Sequence, residues 1–127
     1  MEKTYNIGNN ASVISLSADI DTIGLAASRA TIFKDGSATA VAHSADATGD
    51  IATQNIGSGA SLKGSRLQVF TKIALTGSDA DQRAAEADQL SGTYTLDGGS
   101  AGLQTYSHST KDYIDPNVFL QFLVDLV

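Results

Sequence analysis

Two histidines, His43 and His108, and no cysteine are what this chain brings to metal or nucleophilic chemistry. A zinc site takes about four ligands from His, Cys, Asp and Glu. These two histidines fall on separate predicted strands with no HxH or HxxxH spacing, so a structural or surface role is expected for both. Serines are numerous enough to write a Ser-His-Asp triad on paper, yet no GxSxG elbow surrounds any of them. The carboxylates gather as Asp19 with Asp21, Asp46 with Asp50, and Asp79 with Asp81. Each pair has oxygens for calcium, but none keeps the D-x-[DN]-x-[DN]-G-x5-E order, and solvated loop carboxylates are expected.

Sugar and phosphate chemistry are as thinly supported. Paired carboxylates that cleave glycosides work in a cleft, and 4 Tyr, 4 Phe and no Trp furnish its aromatic lining poorly. Tyr94, Tyr106 and Tyr113 are expected close together around a hairpin, as a small aromatic platform or as ordinary cross-strand packing. GSGASLKGS, Gly57 to Ser65, lacks the G-x-x-x-x-G-K-[ST] order and precedes a strand, whereas a phosphate loop precedes a helix. Asn10-Ala11-Ser12 fits the glycosylation pattern, which means little without a secretion signal. No catalytic residue, cofactor or metal ligand is therefore expected.

Composition narrows the partners. With 14 acidic against 8 basic residues the formal net charge is −6. That balance argues against nucleic acid and against anionic membranes, both of which demand a Lys/Arg surface. No run of about 18 apolar residues occurs, so no membrane span is expected, and MEKTYNIGNN has no apolar signal-peptide core. Synthesis in the cytoplasm without Sec export is the default expectation, with localisation otherwise unassigned. Absence of cysteine excludes disulfides and leaves the redox compartment open.

Length and patterning define the scaffold. A chain of 127 residues suits one domain, 1–127, able to bury a core. The hydrophobic fraction of 42% is rich in alanine, which predicts a thin core such as the space between two sheets. The organising stretch is Ser65 to Gly77. There Leu67, Val69, Thr71, Ile73 and Leu75 alternate with Arg66, Gln68, Phe70, Lys72 and Ala74, the period of a strand with one face on a core.

Other segments follow suit. Thr4 to Ile7 is expected as a short strand ended by Gly8-Asn9-Asn10, and Ser12 to Ile20 alternates with Ile14, Leu16, Ala18 and Ile20 inward. From Thr22 to Lys34 the apolar set changes parity, which predicts a bulge near Ser28-Arg29. Lys34-Asp35-Gly36-Ser37 reads as a tight turn into a strand over Ser37 to Ala45. A short strand over Ile51 to Ile56 and a flexible bend over Gly57 to Ala60 lead to the long strand. Ser78 to Gln89 reads as an extended loop or a short helix capped by Ser78 or Asp79. Gly92 to Leu96 is expected to pair back on the long strand and to form a hairpin with Leu103 to His108.

The tail, Pro116 to Val127, is the ambiguous part. Asp115-Pro116 resembles an N-cap followed by a first-turn proline, and Asn117, Gln121 and Asp125 would form one polar stripe on a helix. A short helix is therefore predicted, with a last strand carrying Val118, Leu120, Phe122, Val124 and Leu126 on one face as the alternative. A helix so apolar leaves greasy surface over, and Phe119, Phe122, Leu123, Leu126 and Val127 are the candidate interaction residues. The competing reading places the tail in the core.

The sequence thus predicts an all-β, antiparallel two-sheet sandwich of about seven or eight strands with that tail. Its expected function is a non-catalytic structural or assembly module acting through protein contacts, with itself as the partner. The alternative is a small binding module for a carbohydrate, a cation or a surface ligand.

Overall fold

The computed structural model describes residues 3–8 and 12–127 of the chain. The turn expected at Gly8-Asn9-Asn10 and the glycosylation pattern at Asn10-Ala11-Ser12 involve residues 9–11, outside the described residues. The first half holds β1 (Lys3–Tyr5), β2 (Val13–Asp21), β3 (Leu25–Lys34), β4 (Ser37–His43), β5 (Ile51–Ser58) and a one-turn helix, α1 (Gly59–Leu62). The second holds β6 (Arg66–Ala74), α2 (Ala80–Gln89), β7 (Ser91–Asp97), β8 (Gln104–Ser107), β9 (Thr110–Ile114) and β10 (Asn117–Leu126).

Two sheets face one another, as the alternation requires. The large sheet runs β1-β10-β6-β3-β4, with β9 also on β10; the small sheet runs β5-β2-β7-β8. β1 and β9 share one flank of β10. β9 pairs antiparallel with Asn117 to Gln121, while β1 pairs in parallel with Val124 to Leu126, a departure from the all-antiparallel expectation. β6 lies at the heart of the large sheet between β10 and β3, and Leu67, Val69, Thr71 and Ile73 are all buried. Opposite them stand Ile14, Leu16 and Ala18 of β2 and Tyr94 and Leu96 of β7, also buried.

The tail is a strand. β10 buries Val118, Leu120, Phe122, Val124 and Leu126 and pairs along its whole length with β6, from Asn117↔Ala74 to Asp125↔Arg66. The helix expectation fails for a simple reason: positions four apart share a face on a strand as well as on a helix, so the polar stripe could not discriminate. Asp115-Pro116 forms the tight turn between β9 and β10 rather than a helix cap. Burying Phe122 alone contributes about 2–3 kcal/mol, so this strand is a principal part of the core.

Three further expectations are corrected. β3 contains no bulge: Ala26, Ser28, Ala30 and Ile32 point inward without a parity change, and Leu25 is 62% exposed. The irregularity lies in β4, whose register against β3 shifts so that Val41 is the added residue. β7 does not return to β6. It joins the small sheet beside β2, because α2 carries the chain from one sheet to the other. Gly57 to Ala60 is not a bend but the end of β5 and the start of α1, whose first turn Ser58 caps. Ten strands result among the described residues, because β9 and β10 add to the expected count.

Elsewhere local chemistry acts as expected. Asp35 (φ 52°) and Gly36 (φ 79°) both take the left-handed conformation that a two-residue hairpin turn requires. Asp79 caps α2, its carboxylate accepting from Gln82 N at 2.8 Å.

Candidate functional site

The residues singled out for chemistry are not assembled. His43 is exposed at the end of β4, and its Nδ1 lies 3.0 Å from the Ser44 carbonyl. His108 follows β8 in the other sheet, where Gly92 N donates to its Nδ1 at 3.3 Å. Burial, reinforced by Lys111 and Lys3, pushes the pKa of His108 down and favours the neutral ring. Among the described residues no three His, Asp or Glu side chains come together as a metal site.

Of the acidic pairs, Asp46, Asp50 and Asp79 accept from backbone amides. Asp46 Oδ1 accepts from Thr48 N at 3.0 Å and Thr48 Oγ1 at 2.5 Å, and these bonds hold its pKa below the ordinary carboxylate value. Asp50 accepts from Ile20 N at 2.8 Å, tying the loop before β5 to β2. Glu86 of α2 receives Thr76 N and Gly77 N at 3.1 and 3.0 Å, which fastens the helix to the end of β6. Arg83 binds Asp115 with two bonds, at 2.6 and 3.1 Å, and holds that carboxyl below its usual range.

The tyrosine platform is a core feature instead. Tyr94 and Tyr106 are register partners on β7 and β8, and both rings pack on Phe122, with centroids 4.5 and 5.4 Å away. Tyr113 lies on β9 in the other sheet. The Tyr94 hydroxyl is buried and makes no hydrogen bond among the described residues. Its pKa is pushed up to about 12 by burial, with Thr71 opposing. Gly92 leaves room for it, since a Cβ there would collide with the phenol oxygen. Next to it Ser28 Oγ and Thr71 Oγ1 share a buried hydrogen bond of 2.6 Å.

What the register does assemble is the outside of the large sheet. Three rows cross it: Arg29-Phe70-Gln121, Ala27-Lys72-Phe119, and Phe33-Arg66-Asp125. The Phe70 and Phe119 rings stack at 5.8 Å, Gln68 donates to Gln121 at 3.0 Å, and Arg66 pairs with Asp125 at 2.7 Å. Phe33 and Phe70 are 41% and 40% exposed, and Leu123 lies half-buried in the row with Gln68 and Thr31. Arg29 and Lys72 flank the rings and pair with no carboxylate among the described residues.

The outside of the small sheet is its opposite. Ser15 lies beside Asp97, Ser17 beside Thr95, and Asp19 beside Thr93. Thr105 and Ser107 of β8 extend the hydroxyl rows. This face has hydroxyls and carboxylates and neither lysine nor arginine on β2, β7 or β8.

The candidate interaction residues divide between these environments. Phe122 and Leu126 are fully buried and point into the core, which removes them from any surface role. Phe119 and Leu123 lie half-buried on the outer face, and Val127 is 45% exposed beyond the strand. Sequence reasoning missed Phe33, Phe70, Arg29 and Lys72 as neighbours of Phe119. Their alternation was visible strand by strand, but only the cross-strand register brings them into one patch. Comparison with protein-family models, curated proteins and solved structures gives no match to this chain.

Proposed function

We propose that this chain is a non-catalytic assembly module whose copies stack, the outer face of the large sheet on the outer face of the next copy's small sheet. The observation that carries this reading is the chemical opposition of the two faces. Arg29, Arg66 and Lys72 outnumber Asp112 and Asp125 around a part-exposed aromatic pair on one. Asp19, Asp21 and Asp97 stand among hydroxyls on the other, without lysine or arginine on β2, β7 or β8. Opposite potentials favour the heterologous arrangement, whereas two large-sheet faces together would set Arg29 and Lys72 against their own copies. A heterologous contact that does not close on itself propagates as an open stack.

Sedimentation velocity over a range of concentration and salt tests this. The expected result is particles heavier than 13.1 kDa that shrink as salt screens the faces. Lys72→Glu and Asp19→Lys should each reduce the mass, and an equimolar mixture of the two should regain part of it. A mass of 13.1 kDa under every condition removes the reading. The stacked Phe70 and Phe119 rings beside the Gln68–Gln121 amides support a second reading, a sugar-binding face. A monomer in which an oligosaccharide perturbs Phe70 and Phe119 would favour that alternative.

A further inference from the structure

β4 is the outer strand of the large sheet and is bonded along one side, to β3. Its sequence, Ser-Ala-Thr-Ala-Val-Ala-His, has no lysine, proline or carboxylate to keep another strand away, and its one bulge, at Val41, leaves Ser37 to Ala40 regular. The other margins are short or irregular. β1 has three residues and β8 four, β9 carries Lys111 and Asp112, and β5 shifts register twice against β2.

The space beside β4 has a defined chemistry. Where the margin of the large sheet faces β5 and α1, the sandwich is open along a seam with two hollows. One, of about 250 Å³, is lined by Ile32, Val41, Ile56 and Leu62 together with Lys34. The other, of about 580 Å³, lies against Arg29, His43, Ile51 and Gln54. No carboxylate lines either hollow among the described residues, in a chain whose net charge is −6. Lys34 is held in place, its Nζ donating to the Ser61 carbonyl at 2.7 Å. The displaced residue of the β4 irregularity, Val41, borders both hollows and so separates a regular stretch, Ser37 to Ala40, from the rest of the edge.

We infer that β4 accepts an extended strand from another protein, one with apolar side chains at alternate positions and carboxylates between them. Only a peptide backbone matches a row of strand N–H and C=O groups. An apolar side chain of the guest enters the smaller hollow, a carboxylate at the guest's end beside the Lys34–Ser37 pair meets Lys34, and a carboxylate on its outward face meets Arg29. This surface shares Arg29 with the Phe70–Phe119 patch, but β4, Lys34 and the smaller hollow lie outside that patch, and the inference does not rest on stacking.

The test uses the whole protein and a synthetic heptapeptide, Glu-Val-Glu-Val-Thr-Val-Glu, with a lysine-for-glutamate counterpart as control. Amide NMR and hydrogen exchange should show the acidic peptide protecting Ser37 to Ala40. Lys34→Glu should weaken binding about fivefold or more, and Lys34→Met by less, in keeping with the loss of a partly exposed ion pair. Lys72→Glu, on the other surface, should leave it unchanged. Equal binding of the basic peptide, or no shift in β4 at millimolar acidic peptide, overturns the inference. So does an edge already protected in peptide-free protein of doubled mass, which would mean that a second copy covers it.

Discussion

The two sheets bury similar faces and expose different ones. Inside, β6 presents Leu67, Val69, Thr71 and Ile73 and β2 presents Ile14, Leu16, Ala18 and Ile20 at every second position. Outside, β6 shows Arg66, Gln68, Phe70 and Lys72, while β2 shows Ser15, Ser17, Asp19 and Asp21. Folding constrains only the inner set, because a period-two strand leaves alternate positions free of the core. The outer set is therefore where the two sheets differ in chemistry. The large sheet's outer face alone carries stacked phenylalanines, beside Arg29 and Lys72, which pair with no carboxylate among the described residues.

The sharpest way to break this division is on a single strand. Val69→Asp places an unpaired carboxylate in the core and should abolish cooperative thermal unfolding, a loss above about 3 kcal/mol. Gln68→Asp, one residue away on the outer face, should cost about 0.5–1 kcal/mol. Equal melting losses would mean that inner and outer are misassigned. A smaller effect sharpens the interior where the sheets meet. Thr71→Val leaves the Ser28 hydroxyl without its partner and should cost about 1–3 kcal/mol in denaturant melts, whereas Tyr94→Phe removes a buried hydroxyl with at most a weak contact to Thr71 among the described residues and should cost less.

The smallest effect belongs to the surface ion pair at the β9–β10 turn. The folded pKa of Asp115 lies below its unfolded value, so its contribution is present above the ordinary carboxylate pKa and fades as pH falls through the folded value. Melting temperature should therefore decline below about pH 4, and Asp115→Asn should lose the part of that decline that Arg83 causes. An unchanged acid profile would show that the exposed pair contributes nothing.

How much of this was legible depended on whether a pattern had a rival. Leu67, Val69, Thr71 and Ile73 fit only one period, and their burial follows from it. Asn117, Gln121 and Asp125 fit two periods, and a proline after an aspartate tipped the reading the wrong way. Leu25 misled for another reason: an exposed leucine looks like a core residue, and the false parity it implied created a bulge in β3. β9, with Thr110 to Ile114 exposed throughout, offered no hydrophobic alternation to read. The outer-face patch was half visible. Phe70 and Lys72 were correctly placed away from the core, but Phe33 and Phe119 join them through pairings that are separated widely in the chain.

That separation also governs biosynthesis. Arg66 of β6 meets its partner Asp125 of β10 across 59 residues of sequence. At about 5–20 residues per second, β6 leaves the ribosome several seconds before the strand that covers its flank. Strand pairing itself is far faster than that interval. Over that interval β6 has β3 to pair with on one flank and no partner yet made for the other. The emergence of β10, not of β6, sets the moment at which the large sheet can close, since β1, β9 and β6 all pair with it.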